Sequence, residues 1–343
     1  MTIKELAAQT GYSVGTVSRV LNNHPNVSEK TRKAVLAAAE ACNFQLNANA
    51  KQLKQQRSNT ILVVVKGSSN ELFGNLLEAI QAKISRTAYP LIVDYVDEDA
   101  NEVARAVQLC REKKPLGIIF LGGNRQNFLS DFVQIELPSV LVTNSGLDLP
   151  FENLSSVTSD DRKACEAAID HLVELGHRRI AIIGGGMGSD IARLRYEGCL
   201  LAFDRHHIPF DVQRDYVAVR FSYADGYRAV KTLLARGRQF TAVFAISDVM
   251  AIGAVRALQD SGLRVPEDVS VIGFDGLNIG EYTVPRLATL CQRVDELAGR
   301  CADILIDQIE HGVAPRHETI PCTAAWKESV GPLDPAKTAG GQD

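Results

Sequence analysis

The 343-residue sequence predicts an α/β chain with a small all-α head at its amino end and a two-lobed, doubly wound body. Short helical stripes fill residues 1–46, whereas apolar strands alternate with amphipathic helices from Thr60 onward. Charge also separates the two regions, because residues 1–60 carry a net charge of +5 and the remainder carries −9. A basic head on an acidic body is the asymmetry expected when one end of the chain meets a polyanion.

Three helices are predicted in the head. Thr2-Ile-Lys-Glu5 has the form of a capping box, in which a hydroxyl and a carboxylate satisfy free amides at a helix start, and Gly11 ends that helix. Ser13 begins a second helix and Ser28 a third, since serine is a favoured amino-terminal cap. A helix, a turn with glycine and another helix form a helix-turn-helix, whose second helix enters the major groove of DNA.

The second helix carries the residues that would read DNA. Val14, Gly15 and Thr16 are predicted to face base edges, and Arg19 lies one turn further along the same face. Arginine can donate two hydrogen bonds, one to the O6 atom and one to the N7 atom of guanine. Short hydroxyl side chains suited to phosphate oxygens complete this surface: Ser13, Thr16 and Ser18. The alternative is a helical docking domain with a solvated basic surface.

Residues 47–59 are predicted to be a linker. They hold too few apolar positions to dock on another surface, and two helical turns fall below the roughly 12–15 residues that an isolated helix needs in water. The linker should therefore be helical only when a partner supports it.

Residues 331–343 are predicted to be a flexible tail. They lack the heptad repeat of apolar residues that a coiled coil needs, which favours a dimer over a tetramer.

The body, residues 60–330, should contain about six strand-helix units in two lobes. Two lobes imply a cleft, and ligands of such sheets bind at the carboxyl ends of the strands. The predicted strands are Ile61–Val65, Leu91–Val96, Gly117–Leu121, Val140–Val142, Arg179–Ile183, Ala242–Ile246 and Val269–Phe274; the predicted helices include Asn75–Ser85, Glu102–Arg111, Arg162–Leu175, Ala192–Phe203 and Val249–Ser261.

Composition narrows the class of protein. The chain is 45% hydrophobic and 23% charged, and its apolar runs are far shorter than the roughly 20 residues that span a bilayer. No secretory signal is visible at the amino end, so we expect a cytoplasmic protein without membrane partners. The seven cysteines contain no CxxC pair and are predicted to be reduced thiols.

Catalytic and cofactor motifs have little support. The run from Gly184 to Gly188 lacks the Gly-Lys-Ser/Thr of a phosphate loop and the spacing of a dinucleotide fingerprint. His206 and His207 would point about 100° apart on a helix, so they cannot share a metal from one face. No catalytic triad with motif context is found. We therefore expect no metal, no cofactor and no enzymatic activity.

Ordered motifs across the chain resemble the lac/galactose repressor family of bacterial transcriptional regulators. The resemblance covers essentially residues 1–330. It is carried by the run from Thr2 to Asn22 (TIKELAAQTGYSVGTVSRVLN), Val27–Arg32 (VSEKTR), His171–Ile180 (HLVELGHRRI), Arg193–Gly198 (RLRYEG), Ser247–Gly253 (SDVMAIG), Val265–Asp275 (VPEDVSVIGFD) and Gln292. The resemblance implies a body like a periplasmic sugar-binding protein, a homodimer, and a small effector that changes affinity for a near-palindromic operator in double-stranded DNA.

The same resemblance gives the linker a role. Residues 48–54 would form a hinge helix beside that of the second subunit, with Leu53 wedged into the minor groove, where apolar wedging kinks the duplex. Family members commonly have Pro before this hinge, whereas this chain has Leu46. The DNA-contacting set is completed by Thr2, Asn22 and Ala50.

The resemblance also implies an effector site. Apolar faces would come from Leu72, Phe73 and Phe221, whereas Arg195, Asp275 and Gln292 would bind vicinal hydroxyls. Thr143, Ser247 and Asp248 complete the set, although the family often has Asp at position 143 and Asn at 247.

The sequence therefore predicts an allosteric, dimeric transcriptional regulator, a repressor with a sugar or sugar derivative as its effector. Two alternatives stay open: a purine or nucleoside sensor of the same family, in which Phe73 and Phe221 stack the base, and an enzyme acting on a sugar. Whether the effector releases or tightens DNA binding is not determined by the sequence.

Overall fold

The structure, a computed structural model, describes residues 3–21, 27–42, 58–67, 70–237 and 239–334. The chain divides into two compact units, a head of residues 1–58 and a body of residues 59–343.

The described part of the head contains α1 (Ile3–Thr10), α2 (Val14–Leu21) and α3 (Glu29–Ala41). Leu6, Val17 and Val35 are fully buried, so each of the three helices contributes to the core of the head. Gly11 has a φ of +72°, a conformation that favours glycine, and it turns the chain between α1 and α2. The Ser13 Oγ accepts a hydrogen bond from the Thr16 amide at 3.2 Å, which caps α2. The helix-turn-helix prediction is confirmed.

The body alternates strands and helices. In chain order the elements are β1 (Ile61–Lys66), α4 (Glu71–Ile84), β2 (Leu91–Val96), α5 (Glu102–Lys113), β3 (Gly117–Leu121), α6 (Arg125–Asp131), β4 (Ser139–Val142), β5 (Leu154–Ser159), α7 (Asp161–Glu174), β6 (Ile180–Gly184), α8 (Asp190–Arg205), α9 (Val212–Asp215), β7 (Tyr216–Ala218), α10 (Tyr223–Ala235), β8 (Ala242–Ala245), α11 (Asp248–Asp260), β9 (Ser270–Asp275), β10 (Ala288–Cys291), α12 (Val294–His311), β11 (His317–Ile320) and β12 (Thr323–Ala325).

The described strands form two six-stranded sheets, one in each lobe. The first has the order β11-β5-β4-β3-β1-β2 and is parallel throughout. The second has the order β12-β10-β9-β8-β6-β7, with β12 alone antiparallel to its neighbour. Each sheet reverses its strand order beside its first strand, as in doubly wound folds. The prediction of two doubly wound lobes is confirmed.

Apolar residues explain this layering. All five residues of β3 are buried, as expected for a strand covered by helices on both faces of a parallel sheet. The chain crosses between lobes after β5, after β10 and after β11, so α12 and β11 belong to the first lobe.

The predicted segments match observed elements to within a few residues. Five observed strands were not predicted: the short β7, β10, β11 and β12, and the six-residue β5. This strand reads Leu-Ser-Ser-Val-Thr-Ser and is buried along its whole length. Its polar side chains have partners, because the Ser156 Oγ lies 2.8 Å from His317 Nδ1 and the Thr158 hydroxyl donates to the Thr143 carbonyl at 2.9 Å. These hydrogen bonds to residues distant in sequence make a polar sequence compatible with a buried strand.

Candidate functional sites in the head and the cleft

Most of the face of α2 that would read DNA is exposed. Val14 is 42% exposed, and Gly15 and Arg19 are also exposed. Ser13 and Thr16 lie at the start of the helix, with their hydroxyl oxygens 2.9 Å apart. Ser18 is half-buried. The other predicted DNA contacts, Thr2, Asn22, Ala50 and Leu53, lie outside the described residues.

The body contains a cleft of about 630 Å³ between its two lobes. Lining residues follow the carboxyl ends of β1, β2, β3 and β4 in the first lobe and of β6, β7, β9 and β10 in the second. These positions surround the point where each sheet reverses its strand order, which is where doubly wound folds bind ligands.

The cleft brings together seven of the nine residues that the sequence analysis assigned to the effector. The seven are Leu72, Phe73, Thr143, Arg195, Phe221, Asp275 and Gln292. Leu72 and Phe73 lie in the first turn of α4, and Phe221 precedes α10. Apolar and hydrogen-bonding groups therefore face one volume, as in sites for small polar ligands.

Arg195 is the central cation of the second lobe. Its side chain is 4% exposed, its Nε donates to Asp161 Oδ1 at 2.7 Å, and its Nη1 donates to the Ile246 carbonyl. Nη1 also lies 3.5 Å from Asp275 Oδ1, and the guanidinium carbon lies 3.6 Å from the Phe274 ring centroid. Within the described part of the chain no hydrogen bond uses Nη2, so this donor is available to a ligand.

The charges around Arg195 depend on one another. Burial opposes the charged form of Arg195, but Asp161 and Asp275 outweigh it and hold its pKa above the ordinary value. Burial also raises the pKa of Asp275 to about 6, with Arg195 and then Gln292 opposing that shift. For Asp161, burial likewise raises the pKa against the opposing effect of Arg195. Removing the arginine would therefore leave two buried carboxylates without their cation.

Gln292 connects the two lobes at the base of the cleft. Its Nε2 donates to Asp275 Oδ1 at 2.9 Å, and its Oε1 accepts from the Ser159 hydroxyl at 2.8 Å. Because both ends of the amide are occupied, the orientation of this side chain is fixed. A fixed amide and carboxylate can discriminate between ligand hydroxyls by their geometry.

Two residues of the cleft have strained backbones. Thr143, directly after β4, has a φ of +75°, and Asp275, at the end of β9, has a φ of +122°. Residues other than glycine rarely adopt such φ angles. In many proteins, residues with strained backbones are concentrated at ligand-binding positions.

Ser247 and Asp248, the other two predicted effector contacts, are fully buried and are not among the residues that line the cleft. Asp248 instead accepts hydrogen bonds from the Thr289 hydroxyl at 2.6 Å and from the Leu277 amide at 2.7 Å. Burial, followed by the charge of Asp275, raises its pKa to about 8.

A polar cluster on the first-lobe wall was missed by the sequence analysis. Lys66 Nζ lies 2.7 Å from Glu102 Oε2, and the fully buried Glu102 also accepts from the Asn124 amide at 2.7 Å and from Asn127 Nδ2 at 2.8 Å. Lys66, Asn124 and Asn127 line the cleft. Lys66 ends β1 and Asn124 follows β3, so their position after predicted strands was the available signal.

The described ranges contain neither a metal-binding cluster nor a membrane-spanning helix. Those residues include no group of three or more His, Cys, Asp or Glu side chains that could hold a metal ion. Nor does any helix among them combine the length and apolar character required to cross a membrane.

Comparison with known proteins defines the class. A family model described as "Bacterial regulatory proteins, lacI family" matches residues 2–47, and a "Periplasmic binding protein-like domain" model matches residues 169–330. The probable HTH-type transcriptional repressor ExuR of Bacillus subtilis (strain 168) is 33% identical over 316 residues, which are 90% of this chain and 92% of that protein.

Solved structures agree with this assignment. The lac repressor dimer bound to operator and the anti-inducer ONPF has a TM-score of 0.80 at 26% identity, covering 96% of this chain and 99% of that one. The complex of the transcriptional regulator CelR with cellobiose has a TM-score of 0.72 at 27% identity, with the same coverage. The fold, the head and these matches define a DNA-binding transcriptional regulator. The chain belongs to the lacI family of bacterial regulatory proteins.

Proposed function

We propose that this regulator is a homodimeric repressor whose affinity for DNA is controlled by a sugar bound in the cleft. The observation that carries the proposal is the grouping of Arg195, Asp275 and Gln292 opposite apolar side chains. Fixed donors and acceptors suit vicinal hydroxyls, and the apolar faces suit the ring of a sugar. The cellobiose complex of CelR supports a carbohydrate as the ligand class.

The proposed mechanism couples two binding sites. The head of each subunit reads half of a near-palindromic operator, because a two-fold symmetric dimer requires two-fold symmetric DNA. Effector binding changes the balance between lobe arrangements and hence DNA affinity. Such coupling is typically worth about 1–3 kcal/mol, and operator binding must change effector affinity by the same factor. As a bacterial DNA-binding regulator, the protein would act in the cytoplasm, and no catalytic role is proposed for its cleft.

A second candidate effector is a purine or nucleoside. Phe73 and Phe221 both line the cleft, and aromatic side chains can bind a base through stacked or edge-on contacts. This candidate predicts that a base alone, without a sugar, binds the purified protein.

A thermal-shift panel of neutral sugars, sugar acids, purines and nucleosides would test the proposal. A ligand stabilises the folded protein by RT ln(1 + [L]/Kd), so a specific sugar should raise the Tm in a concentration-dependent way. Phe221→Ala should weaken that response by tenfold or more. Phe151→Ala is the matched control, because Phe151 is half-buried but packs on Phe132 away from the cleft. A response to purines alone would replace the sugar proposal, and turnover of a sugar would replace the regulatory one.

A further inference from the structure

Besides Gln292 at the base of the cleft, five contacts among the described residues join the lobes across the cleft, two ion pairs and three hydrogen bonds. On one side Arg220 forms ion pairs with Asp97 and Asp99. Three residues after Arg220, the Tyr223 hydroxyl donates to the carboxylate of Glu71.

On the other side, the Arg125 amide donates to Asp190 Oδ2 at 3.0 Å and the Asn124 Nδ2 donates to the Gly188 carbonyl at 3.4 Å. The cleft therefore has protein contacts at both of its margins.

Arg220 has a distinct place among the cations of the cleft. Lys66 pairs with Glu102 inside the first lobe, and Arg195 pairs with carboxylates inside the second. Among the described residues that line the cleft, Arg220 is the cation whose ion pairs cross from one lobe to the other. It follows β7 in the second lobe, whereas its partners follow β2 in the first.

The partners of Arg220 repel one another. Asp97, Glu98 and Asp99 are consecutive and all line the cleft. Burial raises the pKa of Glu98, and Arg220 is the strongest charge opposing that shift. A positive charge from the second lobe thus lowers the repulsion within this acidic segment of the first lobe. Opening the cleft would remove that charge and restore the repulsion.

We propose that the ion pairs of Arg220 with Asp97 and Asp99 stabilise the closed cleft before any effector binds. We call them the cross-lobe ion pairs. The side chains of Arg220, Asp97 and Asp99 are 51%, 68% and 77% exposed, so the pairs are weak and reversible. Weak pairs shift the equilibrium between the open and closed forms only slightly toward the closed form. The open form therefore stays populated, and an effector can enter through it.

The consequence for the effector rests on the proposed function, whereas closure itself does not. If the effector binds to the closed form, loss of the cross-lobe ion pairs should reduce the fraction of protein molecules that are closed. The apparent affinity for the effector should then fall by the same factor. Closure can be measured without an effector, so failure of the sugar proposal would leave the test of closure intact.

Amide hydrogen exchange in the ligand-free full chain would test closure. The Arg125 amide is the probe, because its hydrogen bond to Asp190 crosses between lobes on the margin opposite Arg220. Arg220→Gln should speed its exchange by about two- to fivefold, the effect expected from an exposed ion pair. Arg228→Gln is the matched control, since Arg228 is also exposed but pairs with Asp225 on its own helix.

Two further measurements guard against indirect effects. Raising NaCl from 50 mM to 500 mM should speed exchange of the Arg125 amide in the wild-type chain and leave that of Arg220→Gln nearly unchanged, because salt screens exposed pairs. The charge-reversed double variant Arg220→Asp with Asp99→Arg should restore slow exchange that each single change removes. Unchanged exchange in Arg220→Gln, an equal rise in Arg228→Gln, or no recovery in the double variant would overturn the proposal.

Discussion

Replacing Arg195 by alanine should destabilise the body severely. The Arg195 side chain is buried, and its guanidinium neutralises Asp161 and lies beside Asp275. Removing one partner of a buried ion pair typically costs about 3–5 kcal/mol, mostly because the other charge is left buried and uncompensated. We therefore expect Arg195→Ala to lose about that much free energy of unfolding at pH 8, in addition to any loss of effector response.

The loss should depend on pH. The pKa of Asp275 in the folded protein, about 6, lies above its ordinary value, so the stability provided by its protonated form is present at low pH and is lost as pH rises through 6. Without Arg195, which opposes that shift, the pKa rises further and the loss continues to higher pH. The variant should accordingly lose less stability at pH 5.5 than at pH 8.

Urea unfolding monitored by far-UV circular dichroism would measure both effects. The protein concentration is kept fixed, because the stability of the proposed dimer would depend on it. Arg193→Ala is the matched control on the same helix, since its pairs with Asp190 and Glu197 are exposed and worth about 0–1 kcal/mol. A loss below about 1 kcal/mol in Arg195→Ala, or the same loss at both pH values, would refute the view that this arginine compensates buried carboxylates.

Three further predictions concern other elements. Asp248→Asn should reduce the fall in Tm between pH 7 and 9. The pKa of Asp248 is about 8, so the stability that its protonated form provides is lost as pH rises through that range, whereas Asn does not titrate and can still accept the hydrogen bond from Thr289. An unchanged pH profile in differential scanning fluorimetry would argue against this prediction. Arg19→Ala should cost roughly 1–3 kcal/mol of discrimination at one base pair of each half-site, measured by fluorescence anisotropy, and equal losses on specific and random DNA would count against base recognition. Gly253→Ala should destabilise the body by about 1–3 kcal/mol in urea, because a Cβ there would lie 2.1 Å from a backbone oxygen of α10, whereas Gly74→Ala meets open space and should be neutral or stabilising.

Much of the fold could be predicted from the sequence because its signals are local. Leu91–Val96 and Gly117–Leu121 are apolar and β-branched, and both were predicted with the bounds that the structure has. The cap at Ser13 and the turn at Gly11 likewise follow from single residues. In contrast, β5 is stabilised by partners distant in sequence, such as His317, and no local pattern reveals them.

The cleft was predictable only in part, because resemblance gives the residues of a site and does not give their contacts. Residues matched by resemblance, such as Arg195 and Gln292, do line it, but resemblance could not show that Arg195 is bound so closely by carboxylates of its own lobe. Asp248 was predicted on the same grounds, yet its hydrogen bonds lie within the second lobe. The ion pairs of Arg220 depend on the distance between lobes, which no sequence pattern encodes.

Selection of DNA by the full chain tests the regulatory account most directly. Random duplexes would be bound at modest ionic strength, sequenced after enrichment, and retitrated with each sugar of the thermal-shift panel. We expect the enriched duplexes to share an inverted repeat, and at least one sugar to change affinity for it by about 5- to 150-fold. Two results would contradict a repressor controlled by a ligand in its cleft. Either no symmetric sequence is enriched, or the affinity for the enriched sequence does not change with any sugar, purine or nucleoside tested.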